Sequence, residues 1–270
     1  MIKFKYFFGS DSRSLPFLST LHDEISNLKV ITLPPKNKGR GRKSTSNPVE
    51  TFCIENNIDC DYFDDSKNYH DMEYGIVASF SKIFPNYFLE NNSQLFNIHL
   101  SLLPKYRGPT PVETAILNKE IEGGYTVFKI DENIDTGKII FQNSLNIKNK
   151  YASDIYSDIY KLFKSDFSSI DFHTTGLDQH GNTSSTVKFF KNDFNISDSS
   201  INEAKNKIKA FDILGPAFIV FNNKILKVHS YSDIENKSRI ELSDGYLYPV
   251  NVTPEGKRKM SFDDYLRGLK

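Results

Sequence analysis

The sequence predicts an α/β fold: a Rossmann-like, mostly parallel sheet with helices on both faces, followed by a small C-terminal β-barrel-like (OB-like) domain. Two observations predict it. Through about residue 170, short apolar runs of strand length alternate with segments whose apolar residues recur at helical spacing. Beyond about residue 200 the pattern changes to one helix and then a series of short strand-like runs.

Taken in order, residues 2–8 form an aromatic, apolar run that stops at Gly9, as a buried strand ending in a turn does. Leu15, Leu18, Leu21 and Ile25 mark a helix over 14–27. Val30 to Leu33 reads as a second strand, stopped by Pro34-Pro35. A basic, glycine-containing loop follows at 36–43. Pro48 suits a first helical turn, and Val49, Phe52, Cys53 and Ile54 form the face of that helix. Tyr74 to Phe80 is another buried strand, 84–91 a short helix, and Leu95 to His99 the next strand. Thr110 to Asn118 reads as a helix. Tyr125 to Ile130 and Lys138 to Gln142 are β segments flanking a loop from Asp131 to Gly137, and helix returns at about 153–170.

Residues 172–186 are rich in His, Thr, Gly, Ser and Asn without periodicity, the composition of a connector. The expected organisation is a catalytic domain over 1–171, a linker over 172–200 and a β-rich domain over 201–270. The last contains a helix at about 199–211 and strand-like runs at 217–221, 225–231, 239–242 and 246–252.

The formal net charge is zero, so bulk electrostatic attraction to nucleic acid is excluded and any such binding must rest on local clusters. Cys53 and Cys60 match no zinc-knuckle or redox spacing, and His22, His70, His173, His180 and His229 show no ligand pattern. No metal is expected. The basic N-terminus lacks a signal-peptide core, and no apolar run approaches the ~20 residues of a membrane span. A cytoplasmic monomer with no membrane partner is the expectation.

The stretch with chemical content runs from Phe96 to Gly108, followed downstream by Asp135-Thr136-Gly137. Asn97 and His99 are two apart on a strand, so their side chains share one face. An amide donor and an imidazole there can both reach one oxygen that gains charge. Asp135, on a loop able to fold over them, can hydrogen-bond the imidazole and accept a proton. Such a set suits acyl transfer to an amine, with no Ser or Cys nucleophile required. Taken singly, an Asn-x-His or an Asp-Thr-Gly is more often structural; the joint context carries the reading.

That context resembles the signature of the formyltetrahydrofolate-dependent formyltransferases: Asn97-x-His99-x-Ser101-Leu102-Leu103-Pro104, with Gly108 beyond it and Asp135-Thr136-Gly137 downstream. The resemblance implies catalytic roles for Asn97, His99 and Asp135. It implies 10-formyltetrahydrofolate as co-substrate, with Ser101, Leu102, Leu103 and Pro104 lining its site. The pterin would lie among the backbone of 80–84, including Phe80 and Ile83, and the 131–139 loop.

Within that family, the segments at 6–18, 34–48, 208–218 and 253–268 resemble the members that formylate methionyl-tRNA. This implies initiator methionyl-tRNA as partner, met by Lys38, Arg40, Arg42 and Lys43. Those residues, with Lys36, crowd positive charge into a loop whose Gly39 and Gly41 let the backbone approach a phosphate ribbon. Lys257, Arg258 and Lys259 make a second cluster. The sequence departs from that subgroup at Gly9–Ser14, which lacks the usual Thr-Pro-Asp-Phe-Ala, at the reordered Gly215-Pro216-Ala217-Phe218, and in a shortened tail. Sugar-nucleotide N-formyltransferases share the catalytic signature and remain an alternative, as does a non-catalytic folate- or RNA-binding protein. A dinucleotide-binding oxidoreductase is disfavoured: Gly39-Arg40-Gly41 follows a strand but lacks the third glycine and the acidic residue of that motif.

Overall fold

Long apolar runs flanked by turns are what a parallel sheet covered on both faces demands, and such a sheet forms here. The structure is a computed structural model that describes residues 3–38 and 43–269, with backbone only at 36–38 and 43–44. Its main sheet contains β1 (Phe4–Phe8), β2 (Leu28–Thr32), β5 (Cys60–Tyr62), β6 (Met72–Val77), β7 (Leu95–His99), β8 (Glu122–Lys129) and β9 (Ile139–Asn146). Their spatial order is β5-β2-β1-β6-β7-β8-β9. The strands from β5 through β7 pair in parallel, and β8 runs antiparallel to β7. Phe7, Phe8, Val30, Ile31, Ile76, Phe96 and Val127 are almost wholly buried along these strands.

The chain leaves β1 through α1 (Leu15–Glu24) to β2 and through α2 (Pro48–Glu55) to β5, then crosses back to β6 on the other side of β1. The strand order thus reverses between β1 and β6, and in open α/β sheets ligands are taken at the carboxyl ends of the strands at such a switch point. Ser10 bridges the two strand ends: its Oγ donates to the Ser79 carbonyl at 3.2 Å and accepts from the Ser81 amide at 3.1 Å. Pro48 fills the first turn of α2, as the sequence predicts, and Asn47 caps it by accepting from the amides of Val49 and Glu50.

The structure differs from the sequence reading in several places. The basic loop contains a short antiparallel pair, β3 (Lys36–Lys38) with β4 (Lys43–Thr45). Strand β6 starts two residues earlier than expected and stops at Val77, and Ser79 beyond it adopts a left-handed φ of +47°. Strand β5 was not expected; three residues carrying an exposed Asp61 leave no apolar run to detect. Among the described residues no helix is long and apolar enough to cross a membrane.

Contacts divide the chain into two compact units: residues 1–107, 124–144 and 159–184, and residues 108–123, 145–158 and 185–270. They interleave along the chain because α4 (Pro111–Leu117) packs on α6 (Ile201–Ala210). The start of α5 (Ala152–Asp166) also belongs with them: Tyr156 donates to Glu113 at 3.1 Å, and Ser153 bonds Asp212. The second unit holds a curled antiparallel sheet of β10 (Phe218–Phe221), β11 (Lys224–Ser232), β13 (Gly245–Pro254) and β12 (Ile240–Leu242), in that order, with β14 (Met260–Ser261) on β13. Ile208, Ile219, Leu226, Val228, Leu247, Val252 and Phe262 form its core. Helix α7 (Phe262–Arg267), also unexpected from sequence, closes it and is capped by Ser261. The remaining helix, α3 (Asn86–Asn91), precedes β7.

Candidate active site

Strand alternation buries Phe96 and Ile98 and places Asn97 and His99 on the opposite face of β7. The strand lies between β6 and β8, with Asn97 opposite Val77 and Phe128 and His99 opposite Thr126. His99 is only 5% exposed. Its Nε2 lies 2.8 Å from the Tyr106 carbonyl oxygen. A carbonyl can only accept, so Nε2 carries the hydrogen and donates it there. Nδ1 faces Asp135, 3.5 Å from Oδ2. Residues expected to act together, but 36 positions apart in the chain, therefore meet.

Asp135 sits in a braced loop. Its own φ is +54°, an uncommon region for a residue with a side chain. The Asp131 carboxylate accepts from the Asn133 amide at 3.1 Å and the Thr136 hydroxyl at 2.7 Å. Gly137 is required by close approach: a Cβ there would lie 1.7 Å from the Lys129 carbonyl oxygen. From outside, Gln179 Nε2 donates to the carbonyls of Asp135 (3.0 Å) and Gly137 (2.8 Å). A groove of about 490 Å³ runs along this loop, lined in part by Lys129, Asp131, Thr136, Gly137 and Lys138.

The expected folate segment is held by side chains from the neighbouring strands. Thr126 Oγ1 donates to the Ser101 carbonyl at 2.6 Å and accepts from the Leu103 amide at 3.1 Å. Gln142 Nε2 donates to the Leu103 carbonyl at 3.0 Å. Ser101 and Leu103 are buried, while Leu102 and Pro104 are half-buried. Phe80 stacks on Phe84 and meets Phe8 and Phe63 edge-on, so most of its ring surface belongs to the core. Ile83 is 78% exposed, an apolar side chain facing solvent at the strand end. Of the basic residues, Lys38 and Lys43 pair through their backbones, whereas Arg40 and Arg42 lie outside the described residues.

Several residues around this site were missed from sequence: Thr126, Gln142, Arg107, Gln179 and Ser184. The 177–184 stretch, read as part of a linker, is hydrogen-bonded along its length. Leu177 exchanges backbone bonds with Ile139, both 2.8 Å, and Ser184 accepts from the amides of Tyr106 and Arg107, both 2.9 Å. No periodicity announces such contacts, because each partner lies 38 or more positions away.

A buried imidazole tied to a carboxylate on one side and a carbonyl on the other, beside an amide donor, suits transfer of an acyl group to an amine. Known proteins agree. The methionyl-tRNA formyltransferase of Borrelia turicatae is 32% identical over 97% of this chain and 96% of its own. That of Thermosipho melanesiensis is 30% identical over 88% and 87%. Among solved structures, WlaRD, a sugar 3N-formyl transferase crystallised with dTDP and 5-N-formyl-THF, matches 96% of this chain and all of its own with a TM-score of 0.66 and 25% identity. A sequence profile of the formyl transferase family matches residues 12–165, which include Asn97, His99 and Asp135, and the chain belongs to that family.

Proposed function

We propose that the chain transfers the formyl group of 10-formyltetrahydrofolate to the amino group of methionyl-initiator tRNA. The observation that carries the chemistry is the His99–Asp135 contact of 3.5 Å at the end of β7, with Asn97 on the same strand face. The acceptor amine attacks the formyl carbon and a C–N bond forms. Asn97 donates its amide hydrogen to the resulting oxyanion. With Nε2–H committed to Tyr106, only Nδ1 of His99 is left to serve the reaction. Asp135 holds that ring and takes the proton released by the amine, directly or through water. The bond from carbon to N10 then breaks, and N10 leaves with a proton returned through the same relay. The Nδ1–Oδ2 separation exceeds the 2.7–2.9 Å of a tight charge-assisted bond, and such contacts shorten once substrate excludes water.

The tRNA acceptor is supported by near-full-length similarity to methionyl-tRNA formyltransferases and by the basic clusters at 36–43 and 257–259. WlaRD favours a second reading, in which the acceptor is an amino sugar on a nucleotide. Incubation with 10-formyltetrahydrofolate and either methionyl-initiator tRNA or a dTDP-amino sugar separates them: formylation of the tRNA is expected, and of the sugar alone would reject the first reading. In the productive assay, Asn97→Ala and His99→Ala are each expected to lower kcat about a hundred- to a thousandfold. Near-full turnover in either would remove these roles.

A further inference from the structure

We propose that Gln179 is the positioning residue that sets the separation of His99 and Asp135. The proposal rests on the reading of those two as the reacting pair. A glutamine amide has two hydrogens to donate and two lone pairs to fill. Here all four are used. Nε2 donates to the carbonyls of Asp135 and Gly137, while Oε1 accepts from Arg107 Nη2 at 2.7 Å and Arg107 Nε at 3.2 Å. The orientation of the amide is forced, since carbonyls need donors and a guanidinium needs an acceptor.

These four bonds join the two chain segments that hold the pair. Arg107 follows Tyr106, whose carbonyl fixes His99 Nε2. Asp135 is the residue whose own carbonyl Gln179 holds, and its left-handed backbone has little intrinsic preference for that shape. One half-buried side chain thus spans from the imidazole's anchor to the carboxylate's anchor. The backbone around Gln179 is secured independently, by the Leu177–Ile139 pair and by Ser184 with Tyr106 and Arg107. Removing the side chain therefore leaves the segment in place and releases mainly the Asp135 loop.

Two variants test this. Gln179→Leu loses both tethers. Gln179→Glu keeps an acceptor for Arg107 but turns a carboxylate toward the carbonyls of Asp135 and Gly137. Both are expected to lower kcat about ten- to a hundredfold, the range for an ångström-scale misplacement, with KM for 10-formyltetrahydrofolate changing less. The ¹⁵N resonance of His99 Nδ1, assigned by its loss in His99→Ala, is expected to shift in both. A melting temperature that drops while kcat and the His99 resonance stay at parental values would make Gln179 a structural staple and overturn the proposal. The same assay on His99→Ala and Asp135→Asn separates the two failures. If those keep full turnover, the reading of the pair fails, and the His99 resonance in the Gln179 variants still decides whether Gln179 positions it.

Discussion

Gly137→Ala tests whether the position of Asp135 depends on the tight return of its loop. The added Cβ would stand 1.7 Å from the Lys129 carbonyl oxygen and 2.9 Å from its carbon. Carbon and oxygen normally approach to about 3.3 Å, so the chain must open by roughly 1.6 Å. Both obstructing atoms are backbone, and no side-chain rotation relieves them. The neighbouring bond from the Lys129 amide to the Lys138 carbonyl, 2.8 Å, lies at the point of opening. Its loss and the strain of overpacking together cost about 1.5–4.5 kcal/mol of stability. Asp135 is two residues away, and a displacement of about 1 Å at a reacting group costs about a hundredfold in rate. Formyl transfer under saturating substrates and a urea melt on the same protein measure the two effects. Asn97 and His99 lie on β7, so of the three residues proposed to react Asp135 is the one the opening displaces. A variant with kcat within threefold of the parent would refute the dependence of Asp135 on this close approach.

Two further predictions concern stability. Tyr125, wholly buried on β8, donates to Asp166 at 2.8 Å, and burial followed by that carboxylate pushes its pKa well above 10. Tyr125→Phe is expected to cost about 1–2 kcal/mol in a urea melt, because Asn143 still donates to the same oxygen, while formyl transfer is unaffected. His229 on β11, bonded to Thr253 at 2.8 Å, has its pKa pushed below 6.5 by burial first and then by Lys259 and Lys227. The unfolded chain therefore takes up this proton before the folded one. The contribution is whole above pH 6.5 and is lost as pH falls toward the folded value. Melts between pH 5 and 8 should show this decline, and His229→Gln should flatten it; an unchanged slope would refute the assignment.

The fold was legible where apolar runs were long. Strands β1, β2, β7, β10, β11 and β13 come from such runs, and Pro48, suited to a first turn, announces its helix. Of the elements of two or three residues, Ile240–Leu242 was legible and the others were not: Cys60–Tyr62 has one half-buried side chain and takes its extended shape from pairing with β2. The residues proposed to react could be singled out from sequence because Asn97 and His99 share a face through local strand geometry, and a short motif records it. The residues that support them could not. Gln179 stands among Asp, His, Gly and Asn in a stretch with no period, and its partners are 42 to 72 positions away. Burial of side chains leaves a mark on composition, whereas a half-buried amide satisfied by backbone carbonyls leaves none.

The register of β7 and β8 explains why so much bracing gathers around Asp135. Lys129, the last residue of β8, pairs with Phe96, and the Ile130 amide bonds the Leu95 carbonyl. The chain thus leaves β8 beside the beginning of β7. His99 is at the other end, three residues on, about 10 Å along the strand. To bring a carboxylate to 3.5 Å from Nδ1, the loop must travel that distance back along β7 and return at once, because Lys138 bonds Lys129. A loop that runs out and back over so few residues has no sheet partner for its carbonyls at the far point. Gln179 satisfies the carbonyl of Asp135 there and that of Gly137, where the chain is back against Lys129, and Asp131 ties Thr136. The left-handed turn at Asp135 and the absent side chain at Gly137 follow from the same detour. A simple hairpin between β8 and β9 would avoid all of these features, and it would leave the carboxylate some 10 Å from the imidazole.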